Sequence, residues 1–142
     1  MKVSARNQLS GTVSEIVEGA VNDEVVLSLD TGENLVTVVT KNSVKTLGLV
    51  VGKKAIAIIK APWVVLASPD CGLNFSARNQ FVGKIDNVNL GAVNSSVSLT
   101  SEKGLALTAV VTNDSVNELS LQPGDTVLAL VKASSVILAT QK

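Results

Sequence analysis

Residues 8–16 alternate in part, with Leu9, Gly11 and Val13 set against Ser10, Thr12 and Ser14, the period-2 pattern of a half-buried strand. Glu18-Gly19-Ala20 interrupts this pattern as a turn. Alternation resumes over 24–29, where Val25, Leu27 and Leu29 share one face and Val26 and Ser28 the other. Asp30-Thr31-Gly32-Glu33-Asn34 then reads as a hairpin connection to a third strand over 35–39. After Thr40 the period changes: Val44 and Leu47 stand three apart, which predicts one or two helical turns over 41–47. Thr40 is placed to cap that helix and Gly48 to stop it. Val51-Gly52-Lys53 turns the chain back. Two more strands are predicted over 55–60 and 63–67, separated by Ala61-Pro62, where proline demands a bend or an edge.

The same plan is then written a second time. Ser4-Ala5-Arg6-Asn7-Gln8 returns as Ser76-Ala77-Arg78-Asn79-Gln80, an offset of 76 − 4 = 72. At that offset Gly11 meets Gly83, Gly19-Ala20-Val21-Asn22 meets Gly91-Ala92-Val93-Asn94, and Val38-Val39-Thr40 meets Val110-Val111-Thr112. Ser43-Val44 meets Ser115-Val116, Gly52 meets Gly124, and Lys60-Ala61 meets Lys132-Ala133, all without a gap. The second hairpin falls at Thr100-Ser101-Glu102-Lys103-Gly104, the second helix at about 114–119, and Pro123-Gly124 turns the chain after it. Ser68-Pro69-Asp70-Cys71-Gly72 has linker character, so the expected division is 1–70 and 71–142. Each unit reads strand, strand, strand, short helix, strand, strand. The expected fold is all-β: two tandem OB-like five-stranded Greek-key barrels, each with one short helix. A meander sheet with an appended helix is the alternative, and it would leave edges to be hidden.

Composition sharpens this picture at four points. Units of about seventy residues bury little apolar surface alone, yet hydrophobic residues make up 46% of the chain and mean hydropathy is +0.38. The surplus points to packing on further copies, hence an oligomer. No apolar run approaches the length of a membrane helix and Met1-Lys2-Val3-Ser4 shows no signal-peptide pattern, so a cytoplasmic protein without membrane partners is expected. Twelve basic residues balance twelve acidic ones, which argues against a phosphate-tracking nucleic-acid surface. Histidine is absent and the single cysteine, Cys71, lies in the linker, which leaves little for an enzyme to use.

The repeated positions separate into those a barrel needs and a polar remainder. Val25, Leu27, Leu35, Val38, Leu47 and Leu49 are core by period, and the repeated glycines answer to turn or bulge geometry. The remainder is Ser4, Arg6, Asn7, Gln8, Asn22, Thr40, Ser43 and Lys60, with Ser76, Arg78, Asn79, Gln80, Asn94, Thr112, Ser115 and Lys132 as partners. It contains no repeated carboxylate and no nucleophile with an activating base, so it cannot support acid–base or covalent catalysis. It can donate hydrogen bonds to an oxyanion: arginine as a planar fork, lysine as a point charge. Helix capping by Thr40 and Ser43, and plain solvation of Arg6 and Lys60, are the competing explanations.

In combination these motifs resemble the Mop family: Ser-Ala-Arg-Asn-Gln at the start of a unit, Gly-Ala-Val-Asn in its first turn, Thr-x-x-Ser-Val before the helix and Lys-Ala near the end. Two such units resemble its tandem cytoplasmic molybdate-binding members, the molbindins. The resemblance implies a homotrimer of tandem chains holding molybdate or tungstate at subunit interfaces and on the threefold axis, for storage and homeostasis. It implies one ligand set of Ser4, Arg6, Thr40, Ser43, Lys60 and Ala61 and a second of Ser76, Arg78, Thr112, Ser115, Lys132 and Ala133. Ala20, Val21 and Asn22, with Ala92, Val93 and Asn94, are the candidate axial sites. Related regulators and transporter ATPases carry a helix-turn-helix or a P-loop, and neither is expected here. One departure stands out. Ala61 is followed by Pro62-Trp63 and Ala133 by Ser134-Ser135, which predicts unequal affinities. A ligand-free structural oligomer and a single-stranded nucleic-acid binder are the alternatives.

Overall fold

The computed structural model describes residues 3–142. The first repeat forms β1 (Asn7–Val17), β2 (Asn22–Leu29), β3 (Asn34–Thr40), α1 (Lys41–Leu47), β4 (Lys54–Ile59), a 3-10 turn (Ala61–Trp63) and β5 (Val65–Ala67). The second forms β6 (Asn79–Leu90), β7 (Asn94–Ser101), β8 (Ala106–Thr112), α2 (Asn113–Leu119), β9 (Thr126–Val131), a 3-10 turn (Ala133–Ser135) and β10 (Ile137–Ala139). The chain is all-β with two curled five-stranded antiparallel sheets and two short helices, as the alternation predicts. Each sheet contains the Greek-key order, β4-β1-β2-β3 and β9-β6-β7-β8.

The last strand of each sheet comes from the other repeat. The orders are β10-β4-β1-β2-β3 and β5-β9-β6-β7-β8. One compact unit is accordingly built from 1–59 with 132–142 and the other from 60–131. The division at 70/71 marks the sequence repeat, whereas the compact units trade their final strands. Duplication is why the pattern could not show this. Leu138 pairs with Ala57 and Leu66 with Ala129, and the unexchanged arrangement would offer nearly the same side chains in the same register.

Of two predicted strands, one is shifted by a residue, to Lys54–Ile59, and one is shortened. Residue 60 falls outside β4, and 63–67 shrinks to Val65–Ala67 because Ala61–Trp63 is a 3-10 turn with proline in its first positions. Proline fits there because those N–H groups have no intrahelical partner in any case.

Val25, Leu27, Leu35 and Leu49 are buried as expected, but Val38 and Leu47 are only half-buried. On β3 the inward positions are Leu35 and Thr37, so Val38 falls on the outer face. Thr37 is tolerated inside because its hydroxyl donates to the Val25 carbonyl at 2.8 Å.

Curvature originates at Gly11 and Gly83. A Cβ on Gly11 would stand 2.7 Å from the Ser28 carbonyl oxygen, and one on Gly83 2.9 Å from that of Thr100. Immediately beyond, the pairing slips between Val13 and Glu15 and between Ile85 and Asn87, and such bulges bend a strand and increase its twist. Closure follows: the Ala61–Trp63 turn packs on β8 and brings β5 beside it, and the Ala133–Ser135 turn packs on β3. Gly83→Ala must push the β7 backbone away. It is expected to cost roughly 1–3 kcal/mol by overpacking, read as a lower urea midpoint at unchanged m-value. An unchanged midpoint would mean that the strands are not pinned here.

Candidate functional site

Each helix begins under its own cap. Thr40 Oγ1 accepts from the Ser43 N–H at 3.1 Å and donates to Ser43 Oγ at 2.9 Å. At the second cap Thr112 Oγ1 accepts from the Ser115 N–H at 3.2 Å and lies 2.9 Å from Ser115 Oγ, a hydrogen bond in which either hydroxyl can donate. The threonines are therefore occupied as caps, and in the first repeat Ser43 retains its own O–H for an outside acceptor. The Gly-Ala-Val-Asn turns lie alongside: the Lys41 N–H donates to the Val21 carbonyl at 3.2 Å and the Asn113 N–H to that of Val93 at 2.9 Å. Asn22 pairs with Thr40 and Asn94 with Thr112. The sequence treats cap and turn as separate candidates, but in each unit they are neighbours. Gly19 and Gly91 are needed because a Cβ would run into the Asn22 and Asn94 carbonyl oxygens. The turns present themselves outward, with Val21 73% and Val93 71% exposed.

Ser4, Arg6, Ser76 and Arg78 are exposed just before β1 and β6, whose first pairs are Asn7 with Ile59 and Asn79 with Val131. The repeated glutamines tie these segments down: Gln8 Nε2 donates to the Ala5 carbonyl and Gln80 Nε2 to that of Ala77, both at 3.0 Å. Asn7 and Asn79 are buried. Asn7, Gln8, Asn79 and Gln80 thus hold the frame, and the serines and arginines stand on it.

Strand exchange regroups the remaining candidates. The turn after Lys60 packs against β8, which ends in Thr112, and the turn after Lys132 packs against β3, which ends in Thr40. Thr112 and Ser115 thus share a compact unit with Lys60 and Ala61, and Thr40 and Ser43 with Lys132 and Ala133. The repeat-by-repeat sets drawn from the sequence pair each lysine with the other cap. Lys60 and Lys132 are exposed, while Ala61 and Ala133 are buried.

One ion pair is present in the first repeat and has no charged counterpart in the second. Asp23 is 4% exposed and pairs with Lys41 at 2.8 Å, while also accepting from the Gly19 N–H at 3.2 Å. At the matching places Ser95 and Asn113 hydrogen-bond through their side chains, and Asn113 Nδ2 donates to the Gly91 carbonyl at 3.0 Å. The signal was legible: at offset 72, Asp23 becomes Ser95 and Lys41 becomes Asn113, so both charges vanish together.

The Lys41 hydrogen bond holds the Asp23 carboxyl below its ordinary value against the opposing effect of burial, and the Gly19 N–H helps. The same bond raises Lys41. The depressed carboxyl stabilises the fold above the ordinary carboxylate pKa, and that support is lost as pH falls through the folded value. The raised ammonium contributes below the ordinary lysine pKa and is lost as pH rises through its folded value. The pair therefore supports the first unit across the whole neutral range. Asp23→Ser with Lys41→Asn should flatten the acid limb of stability against pH in β1–β4, measured by hydrogen exchange. An acid limb unchanged by the double substitution would assign it to other carboxylates.

The class that the fold defines is a tandem of two small β-barrels whose repeated polar set is rich in donors and free of carboxylates. The chain belongs to the TOBE domain family, which matches it twice, at 3–66 and 76–138. It is 42% identical over 142 residues to the molybdenum transport protein ModE of Herbaspirillum seropedicae, a match covering 100% of this chain and 53% of ModE. It is 40% identical over 139 residues to the molybdenum-pterin-binding protein MopA of Rhodobacter capsulatus, covering 98% and 52%. The chain thus spans about half the length of these curated relatives. Among solved structures, the cytoplasmic molybdate-binding protein ModG with molybdate bound superposes with a TM-score of 0.95 at 45% identity, over 99% of this chain and 100% of ModG. The resemblance to the Mop family is borne out over both repeats.

Proposed function

We propose that this protein binds molybdate, and tungstate by the same chemistry, at subunit interfaces of a homotrimer in the cytoplasm, for storage and homeostasis of the anion. The observation that carries this reading is the full-length match to ModG in its molybdate-bound form, combined with a donor set that both repeats retain. Ser4, Arg6, Ser76 and Arg78 supply donors beside the sheets. Ser43 and Ser115 supply hydroxyls under their threonine caps, and Lys60 and Lys132 supply charge next to the Ala61 and Ala133 amides. In each compact unit the lysine belongs to the other repeat. The turns Ala20–Val21–Asn22 and Ala92–Val93–Asn94 are the axial candidates.

Molybdate is a fully ionised tetrahedral dianion at neutral pH, so a site of donors satisfies every oxygen. Hydrogen phosphate brings a proton for which the arginine, lysine and backbone N–H groups of the set offer no acceptor, so only a hydroxyl can take it. Sulfate is rejected by size, because a cavity fitted to the longer Mo–O bonds holds it loosely. The exposure of these donors on a single chain suits sites completed by further copies, and filling such sites stabilises the assembly that forms them. Neither DNA binding nor catalysis is supported by these residues: net charge is zero and the repeated polar set holds no acid–base pair.

Thermal unfolding at matched ionic strength tests the reading. An anion at about a hundred times its dissociation constant adds roughly 2.7 kcal/mol, several degrees for domains of this size. Molybdate and tungstate should raise Tm and sulfate should not. Equal shifts with every salt would reduce the effect to general ionic screening.

A further inference from the structure

We propose that Trp63 is a positioning residue for Lys60 and that the Lys60 site is stricter for oxyanions that carry no proton than the Lys132 site, which has two additional hydroxyl acceptors in Ser134 and Ser135. The inference rests on the molybdate-binding reading above and concerns how its two kinds of site differ.

The backbones of the two lysine turns are nearly identical. Lys60 has φ −67° and ψ 137°, Lys132 has φ −67° and ψ 132°, and in each turn the third residue after the lysine returns its N–H to the lysine carbonyl at 2.9 Å. Ala61 and Ala133 are equally buried. Within the two turns the difference therefore lies in two pairs of side chains, Pro62-Trp63 and Ser134-Ser135.

In a 3-10 turn residues i and i+3 eclipse one another, so residue 63 is aligned over residue 60 and residue 135 over residue 132. The consequence is visible on one side: Lys60 Nζ lies 5.6 Å from the Trp63 ring centroid, within cation–π range. A lysine head on four rotatable bonds loses much freedom when an anion fixes it, and the indole face restrains it beforehand. Trp63 is 38% exposed, so the ring serves as a platform rather than as core. Ser135 is too short to do the same for Lys132.

The chemistry diverges as well. Lysine ammonium and indole N–H only donate, and Pro62 brings neither a backbone donor nor a side-chain acceptor. Ser134 and Ser135 carry hydroxyls, which donate and accept. An oxyanion with an O–H finds an acceptor beside Lys132 and none among Lys60, Pro62 and Trp63.

The test uses the full chain, in which Trp63 is the only tryptophan, so its emission reports the Lys60 site alone. Molybdate should change that emission, and inorganic phosphate in excess should leave the change intact while displacing molybdate from the other class of site in calorimetry. Trp63→Ser should weaken one class by roughly two- to fivefold and leave the other unmoved. Trp63→Phe, which keeps a ring, should restore most of the loss, and Pro62→Ser with Trp63→Ser should make the Lys60 class sensitive to phosphate. Ser134→Pro with Ser135→Trp should confer strictness on the Lys132 class. Molybdate bound normally with silent emission, or equal affinities and phosphate competition in all these variants, would overturn the assignment. Absence of molybdate binding in the unaltered chain would instead overturn the functional reading beneath it.

Discussion

Replacing Arg6 or Arg78 with alanine is expected to weaken molybdate binding in that arginine's class of site by about 10- to 100-fold. A hydrogen bond to a charged group is worth about 1.5–3 kcal/mol, and each 1.4 kcal/mol is tenfold in affinity. The fold should survive, because both side chains are exposed and precede the strands rather than pack within them. Lysine at either place should restore only part of the loss, since it keeps the charge but not the planar fork. Calorimetric titration of each variant, with circular dichroism as the control for folding, separates the outcomes. If Arg6→Ala unfolds the protein while molybdate uptake per folded molecule stays constant, the arginine is a structural residue.

The second large effect comes from strand exchange. Truncation after Val131 removes the Ala133–Ser135 turn and β10, including buried Val136 and Leu138. Burying a side chain of that kind contributes about 1.5–3 kcal/mol, and domains stand only about 5–15 kcal/mol above their unfolded state. The damage should fall on the unit that is distant in sequence. β4 loses its partner and β3 loses the turn that covers it, so amide protection should collapse across β1–β4. The unit built from 60–131 should retain its protection and its tryptophan emission. Loss of protection in β6–β9 instead would show that each repeat keeps its own last strand. Cutting the chain within 68–72 gives the converse result: the two fragments should stay together, because each compact unit contains strands from both.

Much of this architecture could be read from residue order. α1 spans the expected residues, with Thr40 as its cap and Gly48 in the left-handed conformation at its end, because a cap hydroxyl and a stop glycine leave a local mark. The alternation in β1 and β2 marked the inner face for the same reason. Thr37 was missed because a buried threonine interrupts an apolar pattern while its hydroxyl is satisfied by the neighbouring strand. In the 3-10 turn at Ala61–Trp63 the proline marks the bend at Ala61-Pro62, whereas Trp63 reads as the start of a strand, since Trp63, Val64 and Val65 suit either conformation.

Strand exchange left no trace at all. It is a choice between two pairings of nearly identical sequence, settled by tertiary packing rather than by propensity. The donor set was legible because duplication kept it while other surface positions drifted. The Asp23–Lys41 pair was hidden by the same comparison, because it exists in only one repeat.

The central claim is specific capture of an unprotonated tetrahedral dianion, and direct titration of the full chain with molybdate tests it best. Calorimetry in a large excess of sulfate should show saturable molybdate binding with two classes of site, and tungstate should compete for both. A titration in which sulfate abolishes the signal, or in which molybdate never saturates, would contradict the account.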